Sequence, residues 1–376
     1  MCASRSTMRA MGDSTPLKVM VVSYPYPATH HSGRGHSRWG AALLDELTDM
    51  DEVDVSVLDE GELTSVPAVI RRVPSVANKA IRARADVYHA LSPIGGATMA
   101  LLGRRPLVVT IHDMLPFQGT EVFAGRWKTR LAKLSTMLSV TRSDAIITGF
   151  EATARDIVTR FPAARDRVHV VNPGIDHSRF RPDASARPPG PSKVIFIGEV
   201  CRGKGVDTLL EAFARIQSGH EGTELVIAGK PTDEEPALLA LGESLGIRHL
   251  AFRGFIPEDE LADYYRSGDL LAFPSSYGYS LGNLEAMACG VPVIAGASGD
   301  TADAMDGSVC LVPPGDVGQL AEAMDRLLSD REQRAALAAA GINRARQFSW
   351  DRTADEVVAL YHRVRRSKAG GRSRGR

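Results

Sequence analysis

The apolar positions fall into short continuous runs separated by amphipathic stretches. Runs at 17–22, 53–58, 87–91, 107–111, 145–148 and 168–171 predict strands buried on both faces. Helical patterns lie between them, such as Trp39, Leu43, Leu44 and Leu47, and the segments 127–140 and 152–160. The alternation restarts after residue 192, with runs at 194–197, 225–228, 250–252, 270–273, 293–295 and 309–312. Helical segments at 317–328 and 331–347 follow, and a last apolar pattern runs through Trp350, Val357, Val358, Leu360 and Tyr361. Strands alternating with helices predict βαβ units and two successive parallel sheets, an α/β protein. Ligands of such sheets bind at the carboxyl ends of the strands, so the cleft between the two domains is the expected site.

Punctuation divides the chain. Residues 182–192 hold four prolines and a glycine with little apolar content, which marks a linker. The expected organisation is a disordered start at 1–15, a first α/β domain at 16–182, a linker at 183–192 and a second α/β domain at 193–347. A final helix at 348–363 and a disordered basic tail at 364–376 complete it. Residues 363–376 are half Lys and Arg with interspersed Gly and Ser, the composition of a solvated tail.

A length of 376 residues exceeds what one core normally supports, in agreement with two domains. The 45 cationic and 45 acidic side chains cancel, so no global charge steers the molecule to nucleic acid or an anionic membrane. Cys2, Cys201, Cys289 and Cys310 lack metal-ligand or disulfide spacing, which favours a reducing compartment. No run of 18 apolar residues and no hydrophobic signal region is present, so a cytoplasmic protein, monomer or homodimer, is the expectation. The basic tail and Arg-bearing helices permit peripheral membrane contact, but no amphipathic stripe compels it. His30, His31 and His36 have no cysteine or carboxylate beside them, and no metal is expected.

The chemistry centres on 273–297, FPSSYGYSLGNLEAMACGVPVIAGA. It reads as a strand, a glycine-punctuated loop, an apolar helix at 281–289 stopped by Gly290 and Pro292, and another strand. Glu285 is the only charge in that helix. A carboxylate in such company is costly unless strong donors meet it, which two vicinal ribose hydroxyls or a buried Lys or Arg would do. A second feature is the glycine-rich turn Gly198-Glu199-Val200-Cys201-Arg202-Gly203-Lys204-Gly205, set between a strand and a helix that Asp207 or Thr208 can cap. Lys204 beside a helix N-terminus suits a diphosphate, while the spacing does not match a Walker A loop. Gly278 and Gly282 offer backbone amides ahead of the 281–289 helix, a second anion-friendly place. In the first domain, His112 and Asp113 stand at the carboxyl end of a strand, which suits either a polar group aimed at a substrate in the cleft or a turn cap by Asp113 with His112 packed beside it. The glycines of Ser32-Gly33-Arg34-Gly35 are a weak signal alone, and no nucleophile elbow appears.

These residues resemble a glycosyltransferase family 4 enzyme, a retaining transferase of the GT-B type, from about residue 18 to about residue 363. SLGNLEAMACGVPVIA at 280–295 looks like that family's donor-binding segment. ADVYHALSP at 85–93, VTIHD at 109–113, SDAIITGFEATARDI at 143–157 and VVNPGIDHSRFRP at 170–182 match in order, as do GKGVDTLLEAF at 203–213, FRGFIP at 252–257 and LVPPGD at 311–316. The resemblance implies two Rossmann-like domains facing across a deep cleft, with the final helix crossing back to the first. It implies a nucleotide diphosphate sugar donor, UDP or GDP, on the C-terminal domain and a small-molecule or glycan acceptor on the N-terminal one. Glu285 would then accept from ribose hydroxyls, Lys204 would neutralise the diphosphate and His112 would face the donor sugar. Gly33 or Gly35 would approach the diphosphate, Phe255 and Ile256 would meet the base, and the stretch Tyr277, Gly278, Tyr279, Ser280 and Leu281 would hold sugar and phosphate. Front-face attack would retain the anomeric configuration without a metal. Two departures fall in this pocket: Tyr277 stands where the family's first glutamate belongs, and Glu199 where many members have an arginine, a charge that Arg202 would supply. They motivate an alternative, a non-catalytic member that binds a sugar nucleotide or partner, and a further one that uses an atypical donor or acceptor.

Overall fold

The structure is a computed structural model that describes residues 15–23, 35–59, 78–117, 126–183, 190–276, 281–305 and 307–373. In the first half, β1 (Leu17–Ser23), β2 (Val53–Asp59), β3 (Val87–Ala90), β4 (Leu107–Thr110), β5 (Ala145–Thr148) and β6 (Val168–Val170) form one sheet. Its order is β2-β1-β3-β4-β5-β6, with every pairing parallel. In the second half, β7 (Lys193–Ile197), β8 (Glu224–Ala228), β9 (Leu250–Gly254), β10 (Leu270–Phe273), β11 (Val293–Gly296) and β12 (Cys310–Val312) form a sheet of order β12-β11-β10-β7-β8-β9, again parallel. Central strands such as β4 and β10 are buried at every position, so their residues run apolar without alternation. Parallel pairing demands crossover segments, and helices supply many of them. They are α1 (Gly35–Thr48), α2 (Pro93–Leu101), α3 (Arg126–Arg142) and α4 (Glu151–Arg160) in the first half. In the second they are α5 (Val206–Ile216), α6 (Glu235–Ser244), α7 (Leu261–Arg266), α8 (Leu281–Ala288) and α9 (Gly299–Met305), while α10 (Val317–Ser329) and α11 (Arg331–Ala345) follow the last strand.

The strand orders locate the site. From β7 the chain moves outward to β8 and β9, then returns to the far side of β7 with β10. The connections leaving β7 and β10 therefore diverge at their carboxyl ends and open a crevice there. The first of these connections contains Lys204, and the second leads into α8. They are tied together: Ser276 donates from Oγ to the Gly203 carbonyl at 3.0 Å. Gly205 lies in the left-handed region at φ +77°, and a Cβ there would stand 2.5 Å from the Pro274 carbonyl oxygen. Only glycine allows the two loops to meet this closely.

The last helix, α12 (Trp350–Ser373), leaves the second sheet and packs on the first. Trp350, Val357, Val358, Leu360 and Tyr361 join Leu43, Leu47, Val87 and Val108 in one buried cluster. A fully buried side chain of this size contributes about 1.5–3 kcal/mol, so α12 supplies a large part of that core. The Tyr361 hydroxyl meets buried His89 Nδ1 at 2.6 Å, and Thr110 Oγ1 meets Nε2 at 2.8 Å. The crossover passes a tight point at Gly174, where a Cβ would lie 2.1 Å from the Trp350 backbone nitrogen.

Some expectations need correction. Neither Asp207 nor Thr208 caps α5: the preceding turn 202–204 is a tight helical turn that ends on Gly205, and α5 starts directly from it. The final helix does not stop at Arg363 but continues to Ser373, so a tail disordered from 364 is not observed. No proline interrupts it, Arg and Lys are good helix formers, and Arg365 reaches Asp86 of the first domain at 3.7 Å. Residues 1–14 of the expected disordered start and 184–189 of the expected linker lie outside the described residues.

Candidate active site

Glu285 sits on the second turn of α8 and is 2% exposed. The donors that reach it come from both halves of the chain. Arg38, on the first turn of α1, spans the cleft and donates from Nη1 to Oε2 at 3.2 Å and from Nη2 to Oε1. Tyr265 donates its hydroxyl to Oε2 at 3.0 Å. Arg38 Nη2 also reaches Glu258 Oε1 at 2.9 Å, and Arg179 donates to the same oxygen at 2.8 Å. Burial works against the charge on Arg38, but Glu285 and then Glu258 more than offset it, and its pKa is held above the ordinary value. Burial, reinforced by Glu285, raises the Tyr265 pKa well above the phenol range, so Tyr265 acts as a neutral donor. Of the partners that residue chemistry allowed for Glu285, this structure contains the arginine.

Lys204 ends the 202–204 turn, its ammonium 5.7 Å from the Phe273 ring centre. Burial lowers its pKa, while Cys201, Glu199 and Asp113 oppose the shift. His112 is half-buried and meets the Trp39 ring edge-on at 5.1 Å. Trp39 follows Arg38 directly, so one turn of α1 places both the aromatic that seats His112 and the cation that binds Glu285. Gly35 opens that helix. Arg202 is turned to its own side of the cleft, with Nη1 3.1 Å from Asp207 and its backbone nitrogen donating to Glu234. Phe255 is 40% exposed just after β9, and Ile256 packs on the second domain's core. Leu281 is the first residue of α8. Gly33, Tyr277, Gly278, Tyr279 and Ser280 lie outside the described residues.

The two halves also meet beside the cleft. Thr153 on α4 donates from its backbone nitrogen and its hydroxyl to Asp300 on α9, at 2.9 and 2.7 Å. Among the described residues, no group of three His, Cys, Asp or Glu side chains is arranged to hold a metal ion.

Sequence reasoning missed Arg38, Arg179, Glu258 and Tyr265. Local pattern cannot pair residues 247 positions apart, as Arg38 and Glu285 are. One signal was available: Arg38 is a cation one turn into a helix that follows a glycine-rich turn, on the domain opposite a buried carboxylate.

Comparison with known proteins completes the description. Residues 24–179 match the family model described as Glycosyltransferase Family 4, and residues 191–330 match the one described as Glycosyl transferases group 1. The chain is 33% identical over 302 residues to D-inositol 3-phosphate glycosyltransferase of Mycolicibacterium smegmatis, covering 74% of this chain and 67% of that protein. The corresponding protein of Salinispora tropica is 31% identical over 346 residues, 82% of this chain and 70% of that one. Among solved structures, sucrose-phosphate synthase from Thermosynechococcus elongatus superposes with a TM-score of 0.78 at 23% identity, covering 92% of this chain and 98% of that one. Anabaena Alr3699/HepE in complex with UDP and glucose gives 0.74 at 18% identity, with 92% and 99% covered. These likenesses establish the GT-B arrangement of the two sheets.

Proposed function

Because the chain belongs to glycosyltransferase family 4, the group 1 glycosyl transferases, we propose that it moves a sugar from a nucleoside diphosphate to an acceptor hydroxyl with retention at the anomeric carbon. The observation that carries this reading is the convergence of Lys204 and the Glu285 helix at the switch point of the second sheet, tied by the Ser276–Gly203 bond.

The donor lies along that crevice with its base near Phe255 and Ile256, its ribose toward Glu285 and its diphosphate between Lys204 and the start of α8. Arg38 already shares Glu258, so when ribose hydroxyls take over Glu285 the guanidinium keeps a carboxylate partner. As the bond between the anomeric carbon and the phosphate oxygen breaks, negative charge grows on the diphosphate. A lysine fixed in a half-buried turn stabilises that charge without reorganising, and closure of the cleft strengthens the effect. The acceptor hydroxyl, held from the His112 and Asp113 side, attacks the face from which the diphosphate departs. Its oxygen forms the new bond to the anomeric carbon, and its proton passes to the departing phosphate oxygen. Lys204 and the α8 amides supply the positive charge, so the reaction in this form needs no metal.

A thermal-shift panel with UDP, GDP, ADP and dTDP tests the donor site. One of UDP or GDP is expected to stabilise the protein by about 2.7 kcal/mol at a hundredfold excess over its Kd. No shift with any of the four would overturn the donor reading. Lys204→Ala is expected to lower transfer by about 10²–10³-fold, the size seen when one group that stabilises developing charge is deleted. Full activity in that variant would remove Lys204 from its role.

A further inference from the structure

Helix α3 is built inside out. The stripe it turns inward is Ser135, Thr136, Ser139 and Val140, all buried. The stripe it turns outward carries Trp127, Leu131, Leu134 and Met137, exposed by 47, 40, 63 and 44%. A helix on a globular core normally shows the reverse. The inner face is small because α3 lies hard against α2: the Ser139 hydroxyl donates to the Pro93 carbonyl at 2.6 Å, and a Cβ on Gly96 would fall 2.6 Å from Ser139 Oγ. Ser135 and Thr136 return their hydroxyls to the Ala132 carbonyl at 3.0 and 2.8 Å, so the inner polar groups are satisfied. The outer apolar side chains leave about half of their surface uncovered.

Charge says what the outer stripe meets. The sequence of α3, RWKTRLAKLSTMLSVTR, contains five cations and no carboxylate, in a chain whose overall charge is zero. Lys128 and Arg130 are exposed and flank Trp127 and Leu131, with the Lys128 ammonium 5.8 Å from the Trp127 ring. Tryptophan and leucine on one face with lysine and arginine beside them is the pattern of a helix lying in a membrane interface. Pairing of α3 with its copy on a second chain would press ten cations together with no acid on either helix to answer them. Among the described residues no helix is long and apolar enough to cross a membrane, so contact would be with the surface.

We propose that α3 is an interfacial helix that seats this protein on an anionic bilayer. Trp127, Leu131, Leu134 and Met137 enter the boundary between headgroups and acyl chains, and Lys128 and Arg130 meet lipid phosphates. The Lys133 ammonium lies 6.0 Å from the Phe117 ring, five residues past His112, so the bound face adjoins the segment that leaves the cleft.

The test is co-sedimentation of the full chain with phosphatidylcholine vesicles, with and without phosphatidylglycerol. Binding is expected only to the anionic vesicles, weakening as salt is raised, with a blue shift of tryptophan fluorescence. Trp127 dominates that shift because Trp39 and Trp350 are buried. Replacing both Lys128→Gln and Arg130→Gln removes two cations, and partitioning falls about 30-fold. The pair Leu131→Ser and Leu134→Ser weakens binding as well, at a small cost in melting temperature, because the two side chains are only 40 and 63% exposed. The proposal is overturned if the full chain ignores anionic vesicles, or if neither double variant changes its binding. It is equally overturned if sedimentation velocity shows a dimer that Leu134→Ser dissociates, which assigns the stripe to a second copy.

Discussion

The ion pair between Arg38 and Glu285 offers a sharp test of how the two domains hold each other. Glu285 is 2% exposed and the Arg38 side chain 18%, with guanidinium on both carboxylate oxygens. Arg38→Leu would leave a buried carboxylate with the Tyr265 hydroxyl as its one remaining side-chain donor among the described residues. Deleting one partner of a buried pair costs about 3–5 kcal/mol, and the partial exposure on the Arg38 side sets the lower end, about 3 kcal/mol. Glu285→Leu costs less, about 1–2 kcal/mol, because Arg38 keeps Glu258 at 2.9 Å and part of its surface in water. The double variant removes both charges at once. Replacing a whole buried pair by apolar groups is close to neutral, so it should cost no more than about 2 kcal/mol. The double variant therefore falls short of the summed singles by at least about 2–3 kcal/mol. Urea unfolding of the four proteins, followed by tryptophan fluorescence, measures this directly, provided the slope of stability against urea is unchanged. Additivity within about 0.5 kcal/mol would refute the pair, since uncoupled residues add to that accuracy.

Two further outcomes follow from the geometry. Gly205→Ala places a side chain in a left-handed turn against the Pro274 carbonyl, and is expected to cost about 1–3 kcal/mol in urea unfolding and to weaken nucleotide binding; unchanged stability would mean that the two switch-point loops are not locked together. His89, buried between Tyr361 and Thr110, has its pKa pushed by desolvation from the ordinary 6.5 down to about 3. The unfolded chain therefore binds a proton between those values that the folded one refuses, and stability, complete above pH 6.5, falls as pH drops toward 3. In His89→Gln, which keeps hydrogen-bonding groups but does not titrate, the decline in melting temperature from pH 7 to 4 is expected to be shallower than in the parent.

The fold was legible because parallel strands buried on both faces must be continuously apolar, and their helices must be amphipathic. Runs such as 107–111 and 270–273 could hardly be anything else, and Gly290 adopts the left-handed φ of +79° that a helix stop requires. Lys204 was placed correctly in a strand-to-helix turn for the same local reason. What was not legible depends on contacts distant in sequence. A buried carboxylate announces that it needs donors, but not whether they come from a ligand or from Arg38 on the opposite domain. Helix α3 shows a different limit. Periodicity reveals that a helix has an apolar stripe, while the tight seat of Ser139 beside Gly96 decides that the stripe faces outward.

The return of α12 to the first sheet has a consequence for biosynthesis. Domains generally fold as units in the order in which they leave the ribosome. Here the first sheet emerges first, yet its apolar cluster includes Trp350, Tyr361 and Val364 from the far end of the chain. Until those residues are released, the early domain keeps an uncovered hydrophobic face and His89 lacks Tyr361. The half that is made first is therefore the half that is finished last, and it must wait, unsealed, through the translation of the entire second domain.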